Sequence, residues 1–523
     1  MMAHPRSGFA APPQGGNASR PAKPALRRPL GLAVCVLAAL ALLWMVFALL
    51  TAGQPLVALG VLAFGGAALW VYGTAKSLAW RYLFPGVAGM LLFVAFPLLY
   101  TVQIGFTNYS SSNLLEFERA RDYLLAQKTV DEAHAYDTTV HAEGGALRLQ
   151  LTSRETGQRY VTPPLAGSSS PLALQPASGD LGAPLSLKDV IAQRERLMGV
   201  KLQAPDGRTL SYAGLREFAP LDPVWKANAD GSLTQTATGA LYKPNRATGY
   251  FESEAGERVS PGFRVHIGFA NYSRMLFDAD FRGPFVAIFI WTVVFAGLTV
   301  VFAGSLGMAL AVLLNWDALP HKNLYRTLLF LPYAVPGFIS ILVWKGLFNQ
   351  NFGEINAILD ALFGIRPAWF ADPTLAKVMI LIVNTWLGYP YIMILCSGLL
   401  KSIPADLYEA SALAGASPWV NFWKITAPLV IKPLTPLLIS AFAFNFNNFV
   451  LIALLTDGRP DFLNTKLPAG TTDILVSYTY RIAFTDAGQN FGLAAAISTL
   501  IFIMVALMAL LQLKATQKTE AGR

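Results

Sequence analysis

Long apolar runs alternate with polar stretches along this chain. The runs occupy 30–51, 56–72, 82–104, 284–314, 324–347, 375–400, 429–455 and 491–513. A helix needs about 20 predominantly apolar residues to cross a bilayer, so each run predicts a membrane span. The second run is short and the fourth long, which calls for tilt or an interfacial extension. The first is longer than the apolar stretch of a signal peptide and lacks a convincing cleavage site, so it reads as a retained anchor. Between the third and fourth runs the pattern changes. Short alternating stretches occur at 146–151 and 263–267, and turn-forming steps at Asp206-Gly207, Asp230-Gly231 and Pro261-Gly262. Helical patches are expected near 114–127 and 187–198. The prediction is an α-helical polytopic membrane protein of about eight transmembrane helices, with one mixed, mainly β domain.

The same pattern divides the chain. Residues 1–28 are rich in Pro, Gly, Ala and Arg without periodicity, and a disordered tail is expected there. Residues 29–105 hold three spans and 106–283 the β-rich domain. Residues 284–513 hold five spans with a polar loop at 401–428, and 514–523 form a second tail.

Composition agrees: 54% of the residues are hydrophobic and 14% charged. Soluble domains carry nearly twice that charged fraction. Segment 106–283 holds 19 basic and 20 acidic residues, so the net charge of +9 belongs to the membrane part. That is the distribution of juxtamembrane anchors rather than of a nucleic-acid surface. Arg6, Arg20, Lys23, Arg27 and Arg28 precede the first span. Lys76 and Arg81, Lys322 and Arg326, Lys401 and Lys424, then Lys514, Lys518 and Arg523 occupy alternate connections. With eight spans all fall on one side, which is then cytoplasmic. Both termini are expected inside, and 106–283, 348–374 and 456–490 outside. Cys35 and Cys396 lie in apolar runs and read as small core residues, so no disulfide framework supports the outer domain.

The interiors of the last five runs contain no Asp, Glu, Arg or His; Lys345, Lys377 and Lys432 sit near ends, where they can snorkel. Ion-coupled carriers usually keep such groups at membrane depth. No G-x-x-x-x-G-K-[ST] motif occurs, so a Walker-type nucleotide cradle is missing and energy must come from another polypeptide.

The loop at 401–428 reads as two short helices. Pro404 suits a first helical position, with Asp406 favoured in the first turn. Gly415 stops the helix, able to take the left-handed conformation. Ser417-Pro418 starts a second helix carrying Trp419, Phe422 and Trp423, which Pro428 is expected to end. Small residues beside Glu409 would admit another protein's backbone; an amphipathic connector lying on lipid is the alternative. The string E-A-S-A-L-A-G, with Ile425 and Pro428 at fixed distance, resembles the EAA loop of ABC-importer permeases. The pattern departs at Ser411 and Ala427. The resemblance implies a coupling helix, carried by Glu409, Ala410 and Gly415, that docks on an ATP-hydrolysing subunit.

A sugar needs hydrogen bonds for its hydroxyls and aromatic rings for its C–H faces. Asn445 and Asn448 are three apart and predicted on one helix face, with Phe444 beside them. Leu387 and Tyr391 are four apart, Gly388 allows close approach, and Tyr333 precedes Pro336. Read alone, these residues could equally be helix glue and an interfacial belt; Asn447 is assigned to packing. The strings at 333–336, 384–391, 442–450 and 478–484 are similar to permease subunits of maltose/maltodextrin importers, as is the order of parts. The resemblance implies that Tyr333, Leu387, Gly388, Tyr391, Phe444, Asn445 and Asn448 line the sugar site. It departs at Gly337 and Ala441, where those proteins carry serines.

The resulting expectation is a non-catalytic permease subunit of an inner-membrane ABC importer, translocating maltose or maltodextrin. The resemblance implies as partners a second permease subunit, an ATPase subunit dimer and a periplasmic maltose-binding protein. No cofactor or metal is expected in this chain, ATP and Mg²⁺ being held by the ATPase subunits. Permeases for another sugar or polyol, an ion-coupled carrier and a membrane sensor are the alternatives.

Overall fold

The computed structural model describes residues 27–521, apart from 74–77, 144, 166–170, 178, 180, 317, 464, 466–468 and 486–488. Residues 1–26 of the expected tail, with Arg6, Arg20 and Lys23, lie outside the described residues, as do Lys76 and Arg523, whereas Arg27 and Arg28 are not tail but begin the first helix. The chain divides into two units, 1–99 and 100–523.

In the first unit the helices Arg27–Thr51 and Pro55–Gly73 are joined by a turn in which Gly53 takes φ +71°. They meet closely where Gly65 leaves room for Leu42. The helix beginning at Leu78 brings Phe84 against Phe64 and Tyr72, with ring centroids 5.6 and 5.8 Å apart. Arg81 satisfies the end of the preceding helix, donating to the Tyr72 carbonyl at 3.0 Å and the Val71 carbonyl at 3.3 Å.

The second unit contains the β-rich part and most of the spans. Strands Tyr136–Glu143 and Ala146–Ser153 pair antiparallel, Val140 opposite Leu149. The second strand buries Leu147, Leu149 and Leu151 on one face, as its alternation predicts. They belong to a nine-stranded sheet whose core also takes Leu197 and Val190 from the helical patches Leu187–Ala192 and Arg194–Met198. A five-stranded antiparallel sheet runs from Trp225–Ala227 to Arg258–Val259. Its Trp225, Tyr242 and Phe251 pack on Ala120 and Leu124 of helix Phe117–Ala126.

The stretch 263–267, expected as a strand, is not one. It makes single bridges, Phe263 to Leu115 and His266 to Thr107, because the facing chain turns between them. Asparagine side chains replace the ladder. Asn108 accepts the Val265 N–H (2.8 Å) and donates to the Thr248 carbonyl (3.0 Å). Asn113 donates to the Gly249 carbonyl, and Asn271 to the carbonyls of Gly105 and Thr107, each at 2.9 Å. These amides, two of them buried, tie the β-rich part to the ends of the flanking helices.

Six described helices are long and apolar enough to cross a membrane: Leu32–Thr51, Ala79–Gly105, Ala279–Leu314, Pro373–Leu400, Pro418–Phe446 and Phe491–Leu511; Val57–Gly73 is shorter. The expected straight span at 324–347 is instead a pair, Lys322–Ala334 and Gly337–Leu347, bent by 93°. The cause is local. Pro336 forces Val335 out of the helical region (φ −92°, ψ 133°) and supplies no N–H. The pair still runs from one end of the core to the other. Leu329 packs with Leu314, Leu399 and Val430, whereas Ile341 packs with Trp291, Met379 and Ile474. Trp291 lies in the part of its helix nearer the β-rich domain. That end is called the sheet side, and the opposite end the far side.

The seventh span also departs from expectation. Pro428 does not end the second loop helix. Residues Pro418–Asn421, a π-turn Phe422–Thr426 and Ala427–Phe446 form one continuous helical run. The wider turn, closed by the Ala427 N–H on the Phe422 carbonyl, accommodates a proline that has no N–H to contribute. The run stops at Phe446, and Phe449–Leu455 resumes beyond a break. The last helix extends from Phe491 to Ala521, through most of the expected tail.

The sheet-side connection after this break is stapled by charge. Asp473 is fully buried. It accepts from the Gly470 N–H and the Ser477 hydroxyl, each at 2.8 Å, and from Arg481 at 3.0 Å; Arg481 also reaches Asp461 at 2.9 Å. Burial pushes the Asp473 carboxyl up to about 6, against the pull of the guanidinium. Arg481→Met strands this carboxylate. A loss of about 3–5 kcal/mol is expected, larger than for Asp473→Asn. Without the guanidinium the carboxyl takes its proton at a higher pH than in the parent, so the loss should be greatest in alkaline solution, where the stranded group is ionised, and shrink as pH falls toward 6. Thermal unfolding of both variants across that range checks the sign.

Candidate functional site

A cavity of about 620 Å³ opens between four helical elements of the second unit. Thr299 comes from Ala279–Leu314, Tyr333 and Gly337 from the two arms of the bent span, and Asn384 to Tyr391 from Pro373–Leu400. Ala441 to Asn445 come from the end of the seventh-span helix, and Asn448 from the break beyond it. All seven residues expected at the sugar site line this one cavity, as do Gly337 and Ala441.

The polar groups converge on Asn384. Its Nδ2 donates to Asn445 Oδ1 at 2.8 Å and to Thr299 Oγ1 at 3.1 Å, and its Oδ1 accepts from Asn448 Nδ2 at 3.3 Å. Asn445 Nδ2 donates to the Ala441 carbonyl at 2.8 Å. Asn384 and Asn445 are both buried. Apolar surroundings make an unpaired amide costly, so the network fixes these side chains.

Asn445 and Asn448 do not share a continuous helix face, as their spacing suggested. Asn447, at φ −113°, ends the helix, and Asn448 caps the next one by accepting the Leu451 N–H at 3.4 Å. Asn445 reaches Asn384 from the last turn of its helix, and the break brings Asn448 to the same amide. Asn447 stays outside the cavity and exposed, its amide on the Ala443 carbonyl at 3.3 Å; the expected packing role does not hold within this chain.

Aromatic rings complete the lining. Phe444 is 71% exposed, Tyr333 55% and Tyr391 43%, so the wall they form is open to one side. Gly388 lies where the helices approach closely: a side chain there would meet the Ala303 methyl at 3.3 Å. Among the described residues no charged side chain lines the cavity. Its chemistry is that of amides, hydroxyls and ring faces, suited to a neutral polyhydroxylated solute. Sequence reasoning passed over Thr299, Asn384 and Ser440 as site residues. Asn384 was findable, because Asn384, Leu387, Gly388 and Tyr391 fall at i, i+3, i+4 and i+7 on one helix face.

The loop lies on the far side, with Ile403, Phe422 and Ala427 in the same cluster as Leu314 and Leu399. Its first helix is Ala405–Leu413, with Pro404 one position before it. Gly415 has φ +72°. The Gly415 N–H bonds the Ala412 carbonyl at 3.0 Å and the Ala416 N–H the Ser411 carbonyl at 3.1 Å, the paired bonds of a left-handed helix stop. Ser417 caps the second helix, accepting from Val420 at 3.4 Å. Tyr408 bonds Thr426 at 2.9 Å and Ser411 bonds Asn421, so the two helices are held as one piece. Glu409, Ala410 and Gly415 are exposed, and so are Leu413 (92%) and Trp419 (70%). Among the described residues no group of His, Cys, Asp and Glu could hold a metal ion.

Comparison with known proteins places this architecture. Residues 115–268 match the family described as Maltose transport system permease protein MalF P2 domain. Residues 303–517 match the Binding-protein-dependent transport system inner membrane component. The Maltose/maltodextrin transport system permease protein MalF of Klebsiella aerogenes is 51% identical over 474 residues, covering 89% of this chain and 92% of that protein. The chain belongs to the MalF family. The MalF of Escherichia coli K12 is 50% identical over the same coverage. The MalF family match spans both the β-rich part and the helical core, so it accounts for the two halves of the second unit together. Among solved structures, a bacterial alginate ABC transporter covers 47% of this chain at a TM-score of 0.40 and 20% identity, too distant to bear on substrate.

Proposed function

We propose that this chain is the membrane permease of an ATP-driven importer for maltose and maltodextrins. The observation that carries it is the uncharged cavity at membrane depth, where the Asn384–Asn445–Asn448 amides and the Tyr333, Tyr391 and Phe444 rings meet. Hydroxyls on a sugar would bond the amides, and its C–H faces would lie on the rings. The exposed rings leave room for a second permease subunit to close the cavity from the opposite side.

The chain itself is a gate without chemistry of its own. ATP and Mg²⁺ are bound by a partner ATPase dimer, whose surface receives Glu409, Ala410 and the turn at Gly415. Nucleotide binding closes that dimer, moves the loop, and shifts the permease from an inward-facing to an outward-facing state; hydrolysis reverses the shift. A periplasmic binding protein delivers the sugar, met in part by the β-rich domain. In this reading the protein lies in the bacterial inner membrane, with both termini and the loop in the cytoplasm and residues 106–283 in the periplasm. Basic residues at alternate connections support that orientation.

The test is purification with the neighbouring subunits and reconstitution in vesicles. Maltose-loaded binding protein is expected to raise ATP hydrolysis severalfold and drive maltose inward. Accumulation of solute without the ATPase subunit, fuelled by an ion gradient, would overturn the reading. Gly337 and Ala441 both line the cavity, so the hydroxyls of the related serines are missing there. This favours a shifted preference among maltodextrin lengths, readable by comparing maltose with longer glucans in the same assay.

A further inference from the structure

Two short helices carry large apolar side chains that the chain leaves uncovered. Ala270–Phe277 directly precedes the span beginning at Ala279, and Glu354–Phe363 connects the bent span to Pro373–Leu400. Each is fixed by one face. Asn271 and Met275 are buried under the first. In the second, Asn356 donates to the carbonyls of Gln350 and Pro367, each at 3.0 Å, and accepts the Trp369 indole N–H at 2.8 Å. Neither helix can swing away from the end of its span. Away from those faces, Phe269, Leu276, Phe277, Ile358, Leu362 and Phe363 are all more than half exposed.

Both helices lie on the sheet side. The first links the β-rich domain to its span. The second begins only residues 348–353 after the bent span, whose Phe348 packs with Trp369 and Trp291 at that end. They rest on separate parts of the core. Met275 and Tyr272 pack with Phe281, Phe285 and Ile497, whereas Ile355 and Leu359 pack with Phe348, Trp369 and Met379. A folded partner covers one side of a helix bundle. An apolar fringe that recurs at the same level on separate clusters matches a surface that encircles the bundle. Two of the ion pairs beside it are Arg366 with Asp360 at 2.8 Å and Arg274 with Asp278 at 3.7 Å. The exposed Glu354 stands in the first turn of the second helix, two turns before Leu362 and Phe363.

We propose that the sheet-side leaflet of the lipid bilayer covers both helices, which act as interfacial anchors. Their exposed phenyl and branched side chains enter the boundary between headgroups and acyl chains to a depth of about 5–10 Å. The anchors set the height of the span ends against the membrane, and with it the level at which the β-rich domain stands. The inference is independent of the sugar reading.

The test uses the whole transporter complex in phospholipid vesicles. In a Cys35→Ala, Cys396→Ala background, Leu362→Cys and Phe277→Cys are introduced separately and given nitroxide labels, with Lys226→Cys on the exposed β-rich surface as reference. Ile358→Cys substitutes for Leu362→Cys if that variant does not assemble. Collision with dissolved oxygen should exceed collision with an aqueous nickel chelate severalfold at both helices, and the reverse should hold at the reference. Nickel collision dominant at either helix, meaning water covers it, overturns the proposal. So does exclusion of both reagents, which would place a protein subunit there.

Discussion

Asn384→Leu is expected to lower maltose uptake at least tenfold while the complex still assembles. Leucine fills a similar volume, so the crossing of the helices is kept. The loss is polar. Thr299 Oγ1 and Asn445 Oδ1 lose their donor and Asn448 Nδ2 its acceptor. A buried group left without a partner costs about 1–3 kcal/mol, and three are affected. The two cavity asparagines then turn to other partners, and the arrangement offered to the sugar is gone. Thr299→Val removes one contact and should give a smaller defect. Labelled maltose uptake into proteoliposomes, beside subunit recovery on purification, separates a site defect from misassembly. Normal uptake by Asn384→Leu would remove the amide network from the site.

Gly415→Pro is expected to abolish stimulation of ATP hydrolysis by loaded binding protein, and uptake with it. Two features of the turn fail together. Proline holds φ near −65°, whereas this position has φ +72°. It also lacks the N–H that bonds the Ala412 carbonyl. Gly415→Ala keeps the N–H and meets only the left-handed strain, about 1 kcal/mol, so its defect should be partial. Parallel measurement of hydrolysis and uptake decides the matter. A Gly415→Pro complex that transports normally would show that the turn does not carry the coupling.

The elements were legible wherever one local rule governed them. Eight apolar runs mark the helices, the alternation at 146–151 marks a strand, and Ser417-Pro418 marks a helix start. The failures share a cause: each depends on what a residue meets outside its own segment. Pro428 reads as a stop, but a π-turn absorbs it. Pro336 lies inside an apolar run long enough to span, yet it bends the path by 93°. The stretch 263–267 alternates like a strand but faces a chain that turns, so asparagine amides take the place of a ladder. In the cavity, the residue types were readable because amides at membrane depth are scarce. The hub role of Asn384 was not, since it arises from three helices converging and from a helix break beside Asn448.

The unbroken run from Pro418 to Phe446 makes a lever arm of the seventh span. At a rise of about 1.5 Å per residue, Trp419 and Asn445 stand about 39 Å apart on one rod. A tilt of about 5° about its Trp419 end would carry Asn445 sideways by about 3 Å, roughly the length of one hydrogen bond. Motion too slight to reshape the loop end is thus magnified into a change of grip at the other. Pro433 and Pro436 within the rod set how much of that tilt is lost to flexing.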